Sequence, residues 1–135
     1  MTSTRTIIIP AAEKSSATSK SIRISPTKIA SLLAKIRGKR YDLAQKIIKQ
    51  NPIRVTELLL KLLKSAEKNL ASKYEFKTSL SENLLIDEAF VNQGTILKRT
   101  QPRARGKAYR IEKKFSHITI KLKMIKEIQI NQIEN

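Results

Sequence analysis

The stretch from Gly94 to Leu122 constrains this chain more than any other. Thr95, Ile96 and Leu97 precede, and Ile118, Ile120 and Leu122 follow, a middle that carries Lys98, Arg99, Arg103, Arg105, Lys107 and Arg110 with no carboxylate between them. Pro102 and Gly106 punctuate that middle as a turn requires. The pattern therefore predicts two strands joined by a basic loop. Six like charges on a free loop repel one another, so an extended anionic partner is their natural complement. Arginine forks suit phosphate oxygens better than point charges do.

The rest of the chain agrees with that electrostatic reading. The formal net charge is +17 over 135 residues. Basic chains of this length make one domain and bind nucleic acid or an anionic surface. No apolar run approaches the roughly 18 residues needed to span a membrane, and Ile7-Ile8-Ile9 ends at Pro10. No membrane partner is expected. With no cysteine and the single histidine His117, neither a thiolate nor a multi-histidine metal site is possible, and no cofactor is expected. Catalysis lacks its parts as well. A lone histidine has no nucleophile to serve, and Asp87 and Glu88, adjacent on a strand, are expected to point to opposite faces.

Taken in order, residues 1–20 read as a flexible extension without period. Their Ser, Thr, Arg and Lys content is similar to a transit peptide, but their brevity favours an unprocessed tail. Ser21-Ile22-Arg23-Ile24 alternates as a short half-buried strand does. Ser25 then suits an N-cap, Pro26 a first helical position, and Gly38 a C-terminal stop, with Ile29, Leu32, Leu33 and Ile36 at helical spacing between them. A second short helix is expected from Tyr41 to Ile48. A third, opened by Asn51-Pro52, carries the stripe Ile53, Val55, Leu58, Leu59, Leu62, Leu63, Ala66 and Leu70. Residues 71–83 read as a loop. Leu84, Ile86 and Phe90 share one strand face, but Glu88 breaks it, so either Glu88 lies beyond the core edge or a bulge resets the register. Asn92-Gln93-Gly94 supplies a kink. Residues 123–135 fit neither period and read as a tail.

Two separate segments of this sequence resemble one family. Arg23-Ile24-Ser25-Pro26-Thr27-Lys28 and Ile36-Arg37-Gly38-Lys39 form the first segment. Lys98-Arg99, Pro102-Arg103-Ala104-Arg105-Gly106, Arg110-Ile111 and Ser116-His117-Ile118-Thr119 form the second. Both look like the universal large-subunit ribosomal protein L twenty-two family, of the bacterial and plastid type. The resemblance covers residues 21–122. It departs from the family at Thr95, where proline is usual, and at Glu67 and Leu70, where small alanines are; the latter two read as surface drift.

That resemblance implies an α+β fold: three helices packed on a small three-stranded antiparallel sheet, with a long protruding β-hairpin over residues 84–122. It implies a structural protein of the large subunit that binds ribosomal RNA, helps the subunit assemble and places the hairpin at the nascent-chain exit tunnel. The implied RNA contacts are Arg23, Lys28, Arg37, Lys39, Arg40, Lys98, Arg99, Arg103, Arg105, Lys107, Arg110, Lys113, Lys114 and His117. The implied tunnel-lining tip is Thr100, Gln101, Pro102, Arg103, Ala104, Arg105 and Gly106. Partners would be large-subunit ribosomal RNA, neighbouring ribosomal proteins and the nascent polypeptide, with no DNA expected. The lysine- and isoleucine-rich composition points to a plastid ribosome, with the bacterial cytoplasm as the alternative.

Charge by itself leaves a non-ribosomal nucleoid or RNA-chaperone protein open. Aromatic residues are few, which argues against base-stacking recognition of single strands. Tyr109 fits a base beside the tip and packing within the hairpin equally well. The expected core is Ile22, Ile24, the helical stripes, Leu84, Ile86, Phe90, Ile118, Ile120 and Leu122.

Overall fold

The computed structural model describes residues 6–51, 54–74 and 83–129. They form β1 (Thr6–Ile22), α1 (Pro26–Ile36), α2 (Tyr41–Gln50), α3 (Thr56–Tyr74), β2 (Leu84–Pro102) and β3 (Ala108–Gln129), with a short 3-10 turn at Ala104–Gly106 between the last two strands. The strands make one antiparallel sheet ordered β1-β3-β2. Three helices cover one face of it, and β2 and β3 run on past the end of β1 as a two-stranded arm. The architecture is the expected α+β one.

β3 takes the centre because its sequence alternates most strictly. Ser116, Ile118, Ile120, Leu122 and Met124 are buried under the helices, while His117, Thr119, Lys121 and Lys123 lie on the opposite, helix-free face. On β2, Leu84 and Ile86 join the same core. A bulge then intervenes: Ile86 faces Leu122 and Glu88 faces Lys121, so Asp87 is the extra residue. The bulge resets the face so that Ala89 is buried and Phe90 is not. This corrects the expected core place of Phe90, whose ring instead lies 5.8 Å from the Lys121 ammonium. It also corrects the expected separation of Asp87 and Glu88. Both turn to the helix-free face, Asp87 pairing with Lys14 (2.8 Å) and Lys123 (3.6 Å), and Glu88 with Lys121 (2.7 Å).

The helices follow their apolar stripes. α1 begins at the expected Ser25-Pro26 pair, although the Ser25 side chain makes no cap hydrogen bond, and it buries Ile29, Leu32, Leu33 and Ile36. Gly38, at φ +73°, then turns the chain back onto β2. There its N–H donates to the Ile86 carbonyl and the Ile86 N–H donates to the Lys39 carbonyl, both at 3.0 Å. This short addition covers the outer edge of β2 where an unpaired strand would invite association.

α3 begins later than the Asn51-Pro52 pair predicts. The helix runs from Thr56, and the Thr56 hydroxyl donates to the Asn51 carbonyl at 2.7 Å, so Asn51 still marks its approach. Pro52 and Ile53 lie outside the described residues. So do residues 75–82 of the expected loop, whose first residues 71–74 instead continue α3.

Glu67 and Leu70 are not the surface positions expected of them. Leu70 is completely buried, and Glu67 accepts a hydrogen bond from the Tyr41 hydroxyl at 2.8 Å, tying α2 to α3. Burial and the Glu67 carboxylate together push the Tyr41 phenol well above its ordinary value.

Both ends of the domain reach further than expected. In place of a flexible extension over residues 1–20, β1 runs from Thr6 and pairs with β3 over Thr6–Pro10, Lys14–Ser19 and at Ile22, with register shifts between these stretches. Its inward residues Ser15 and Ala17 are small because α3 lies close: the Ser15 hydroxyl donates to the Ala66 carbonyl at 2.8 Å. Along the outer edge of β1, Asn69 donates to the Ser16 carbonyl at 3.0 Å. At the other end, β3 continues to Gln129, into the segment that reads as a tail. Residues 1–5 and 130–135 lie outside the described residues.

Candidate nucleic-acid interface

The arm is built from the same alternation that builds the sheet, without a core beneath it. Ile22, opposite Ser116, is the last residue of β1 to pair with β3. From Ser116 to Ala108 the arm therefore projects about 25 Å, at about 3.3 Å per residue. Its two strands pair from Ile96 opposite Lys114 to Pro102 opposite Ala108. Every residue from Lys98 to Lys114 is exposed. A two-stranded ribbon of this kind is marginal by itself, so the arm depends on its root and on whatever it binds.

The root is a pair of facing irregularities. In β2 the register shifts between Gln93 and Ile96, and in β1 between Ser19 and Ile22. His117 sits between them. Its Nδ1 accepts a hydrogen bond from the Ser21 N–H at 2.9 Å, and Ser21 holds a left-handed conformation with φ +57°. The other side of the ring lies against Gly94, where a Cβ would stand 3.1 Å from Nε2. The imidazole expected to touch RNA is thus half-buried and engaged in shaping the point where the arm leaves the sheet.

The tip closes tightly. The Arg103 N–H donates to the Lys107 carbonyl at 2.7 Å, and Arg105 and Gly106 adopt φ +59° and +69°. Glycine accepts that conformation freely, whereas an arginine there costs about 1–2 kcal/mol. Thr100, Gln101, Pro102, Arg103, Ala104, Arg105 and Gly106 are all exposed.

Directly opposed residues share a face of the ribbon. Lys98 with Glu112, Thr100 with Arg110 and Ile96 with Lys114 lie on the face that continues the helix-covered side. Leu97 with Lys113, Arg99 with Ile111 and Gln101 with Tyr109 lie on the other, which continues the helix-free side. The arm carries Lys98, Arg99, Arg103, Arg105, Lys107, Arg110, Lys113 and Lys114 against the single carboxylate of Glu112. Those cations are brought together on one projection.

The body cations are placed differently. Arg23 and Lys28 are exposed at the junction of β1 and α1, and Lys39 and Arg40 are exposed on the segment that pairs with the start of β2. Arg37 is partly committed to the fold: Nε (3.1 Å) and Nη2 (2.6 Å) both donate to the Ala89 carbonyl. Among the described residues no group of three or more His, Cys, Asp or Glu side chains is placed to hold a metal ion, and no helix is long and apolar enough to cross a membrane. Sequence reasoning missed the structural parts played by Ser21 and His117. Gly94 was the available signal, since a glycine inside a strand marks a bulge or a close approach.

Comparison with known proteins bears on this arrangement. A family model described as ribosomal protein L22p/L17e matches residues 17–123. The chain is 46% identical over 100 residues to the large ribosomal subunit protein uL22 of Agathobacter rectalis, covering 74% of this chain and 76% of that protein. It is 42% identical over 107 residues to the uL22 protein of Clostridium beijerinckii, covering 79% and 94%. It is 43% identical over 110 residues to the uL22c protein of Gracilaria tenuistipitata, covering 81% and 92%.

Proposed function

The chain belongs to the ribosomal protein L22p/L17e family, and from that premise we propose that it is a structural, non-enzymatic protein of the large ribosomal subunit. It binds large-subunit ribosomal RNA, contacts neighbouring ribosomal proteins and holds its arm at the path of the nascent polypeptide. The observation that carries the RNA reading is the arm itself. Eight cations and one carboxylate stand on a ribbon with no core of its own, so anionic surroundings are what stabilise it. RNA segments on both sides of the ribbon supply such surroundings, and the release of their counterions drives much of the binding.

The tip takes the tunnel position that the family resemblance implies, with Thr100–Gly106 outermost. Arg23, Lys28, Lys39 and Arg40 contribute phosphate contacts from the body, where RNA helices approach one another during subunit assembly. The relatives include bacterial proteins and a plastid form, and the plastid ribosome is the setting that the lysine- and isoleucine-rich composition favours.

The test is binding of the full chain to large-subunit ribosomal RNA across a salt series. Replacing both Arg103 and Arg105 by Glu should leave the thermal unfolding curve in place. It should weaken binding and reduce the slope of log affinity against log salt by roughly 2, one for each phosphate deprived of its arginine. Unchanged affinity at moderate salt would count against the proposal.

A further inference from the structure

One face of the arm carries more than charge. Tyr109 is 56% exposed and Ile111 36% exposed, and both lie on the face that also presents Arg99 and Lys113. The Arg103 guanidinium stands over the Tyr109 ring, 5.8 Å from its centroid. Glu112, the only carboxylate of the arm, is on the opposite face. A flat apolar ring left in water beneath a cation, with further cations on either side, is a poor surface for solvent and a good one for an aromatic ligand that carries phosphates.

We propose that Tyr109 and Arg103 form a stacking slot for one unpaired nucleobase of RNA, with Arg99 and Lys113 meeting the flanking phosphates. This rests on the RNA-binding reading above and goes beyond it, since it assigns a base contact to Tyr109, which the sequence leaves equally open to packing within the hairpin. A base between ring and guanidinium needs two van der Waals layers of about 3.5 Å each. The present 5.8 Å therefore has to open by about 1 Å, a small movement for an exposed arginine beside an open hollow lined by Arg103, Ala104 and Tyr109. A base inside a duplex has both faces covered by its stacked neighbours, so the slot selects unstacked bases of single-stranded segments.

The experiment uses the full chain with three probes. The first is a single-stranded RNA of about 12 nucleotides carrying one 2-aminopurine, within the usual site sizes for single-strand binders. The second is the same RNA fully paired, and the third is an acidic, aromatic-rich peptide. Tyr109→Leu removes the ring and keeps apolar bulk, while Tyr109→Phe keeps the ring. The leucine variant should bind the single strand about tenfold more weakly and the duplex unchanged, with the same salt slope because every cation that meets a phosphate is still present. The phenylalanine variant should behave as the native chain, and both ring-bearing proteins should quench the 2-aminopurine.

If the leucine variant binds the single strand as tightly as the native chain, or weakens equally on both RNAs, the slot is wrong while the RNA reading stands. If the native chain binds neither RNA, the RNA reading fails and the slot with it. If the leucine variant loses affinity only for the peptide, a polypeptide occupies this face and the RNA slot is overturned.

Discussion

Replacing Gly94 by alanine tests the root of the arm. The added methyl would stand 3.1 Å from Nε2 and 3.2 Å from Cε1 of His117, and 3.2 Å from the Phe115 carbonyl carbon. Carbon contacts are optimal at about 3.5–4.0 Å, so all three are short by several tenths of an ångström. The ring cannot simply swing aside, because its Nδ1 is tied to the Ser21 N–H, and Phe115 is strand backbone. Overpacking of this kind costs about 1–3 kcal/mol, offset by about 0.4–1 kcal/mol from the smaller entropy of the unfolded chain. The expected net loss is about 1–2 kcal/mol. In a His117→Ala background two of the three close approaches vanish, so the same change should cost about 1 kcal/mol less, well above the scatter expected for independent sites. Urea unfolding of the four proteins, followed by far-UV circular dichroism, gives the coupling directly. Additive losses, within about 0.3–0.5 kcal/mol, would refute the idea that His117 and Gly94 shape the root together.

Three further changes probe the sheet. The hydrogen-bonded Lys14 ammonium, with Lys123 beside it, holds the Asp87 carboxyl below its usual range. That stabilisation is complete above the unfolded value of about 3.9 and is lost as pH falls through the lower folded value. Asp87→Asn should therefore cost about 0.5–1 kcal/mol near neutral pH, with the difference from the native chain closing in acid; a pH-independent difference would contradict this. Ile120, fully buried at the centre of β3, should cost about 2–5 kcal/mol as alanine, and a smaller loss in chemical denaturation would mean that the core closes over the cavity. Ser116 is also fully buried, and its hydroxyl has no partner among the described residues. Ser116→Ala should be neutral or stabilising by up to about 1 kcal/mol, and a clear loss of thermal stability would reveal a hydrogen bond to that hydroxyl.

How far the sequence could be read depended on side-chain contrast. β3 was legible because large apolar residues alternate with polar ones from His117 to Leu122, and α1 because Ser25-Pro26 and Gly38 bracket a clear stripe. The arm was legible from its charge, its apolar flanks and Pro102 with Gly106. β1 was not, because the positions it turns inward are Ser15 and Ala17, suited to close approach to α3 and too small and polar to stand out from Ser16 and Thr18. Phe90 was misplaced because one extra residue, Asp87, flips every side chain after it. Leu70 and Glu67 were misjudged because a departure from a family's usual residue does not say whether the neighbouring elements have adjusted to it. The exposure of the arm's cations followed from its charge. His117 needed the positions of two bulges, of which the sequence marks only one, at Gly94.

All that is proposed for the arm requires this chain to be held on the large ribosomal subunit. Sedimentation of the tagged, full-length protein from its native lysate through a high-salt sucrose gradient asks whether it is. The protein should travel with the large subunit. Sedimentation as free protein, or together with DNA, would overturn the ribosomal reading.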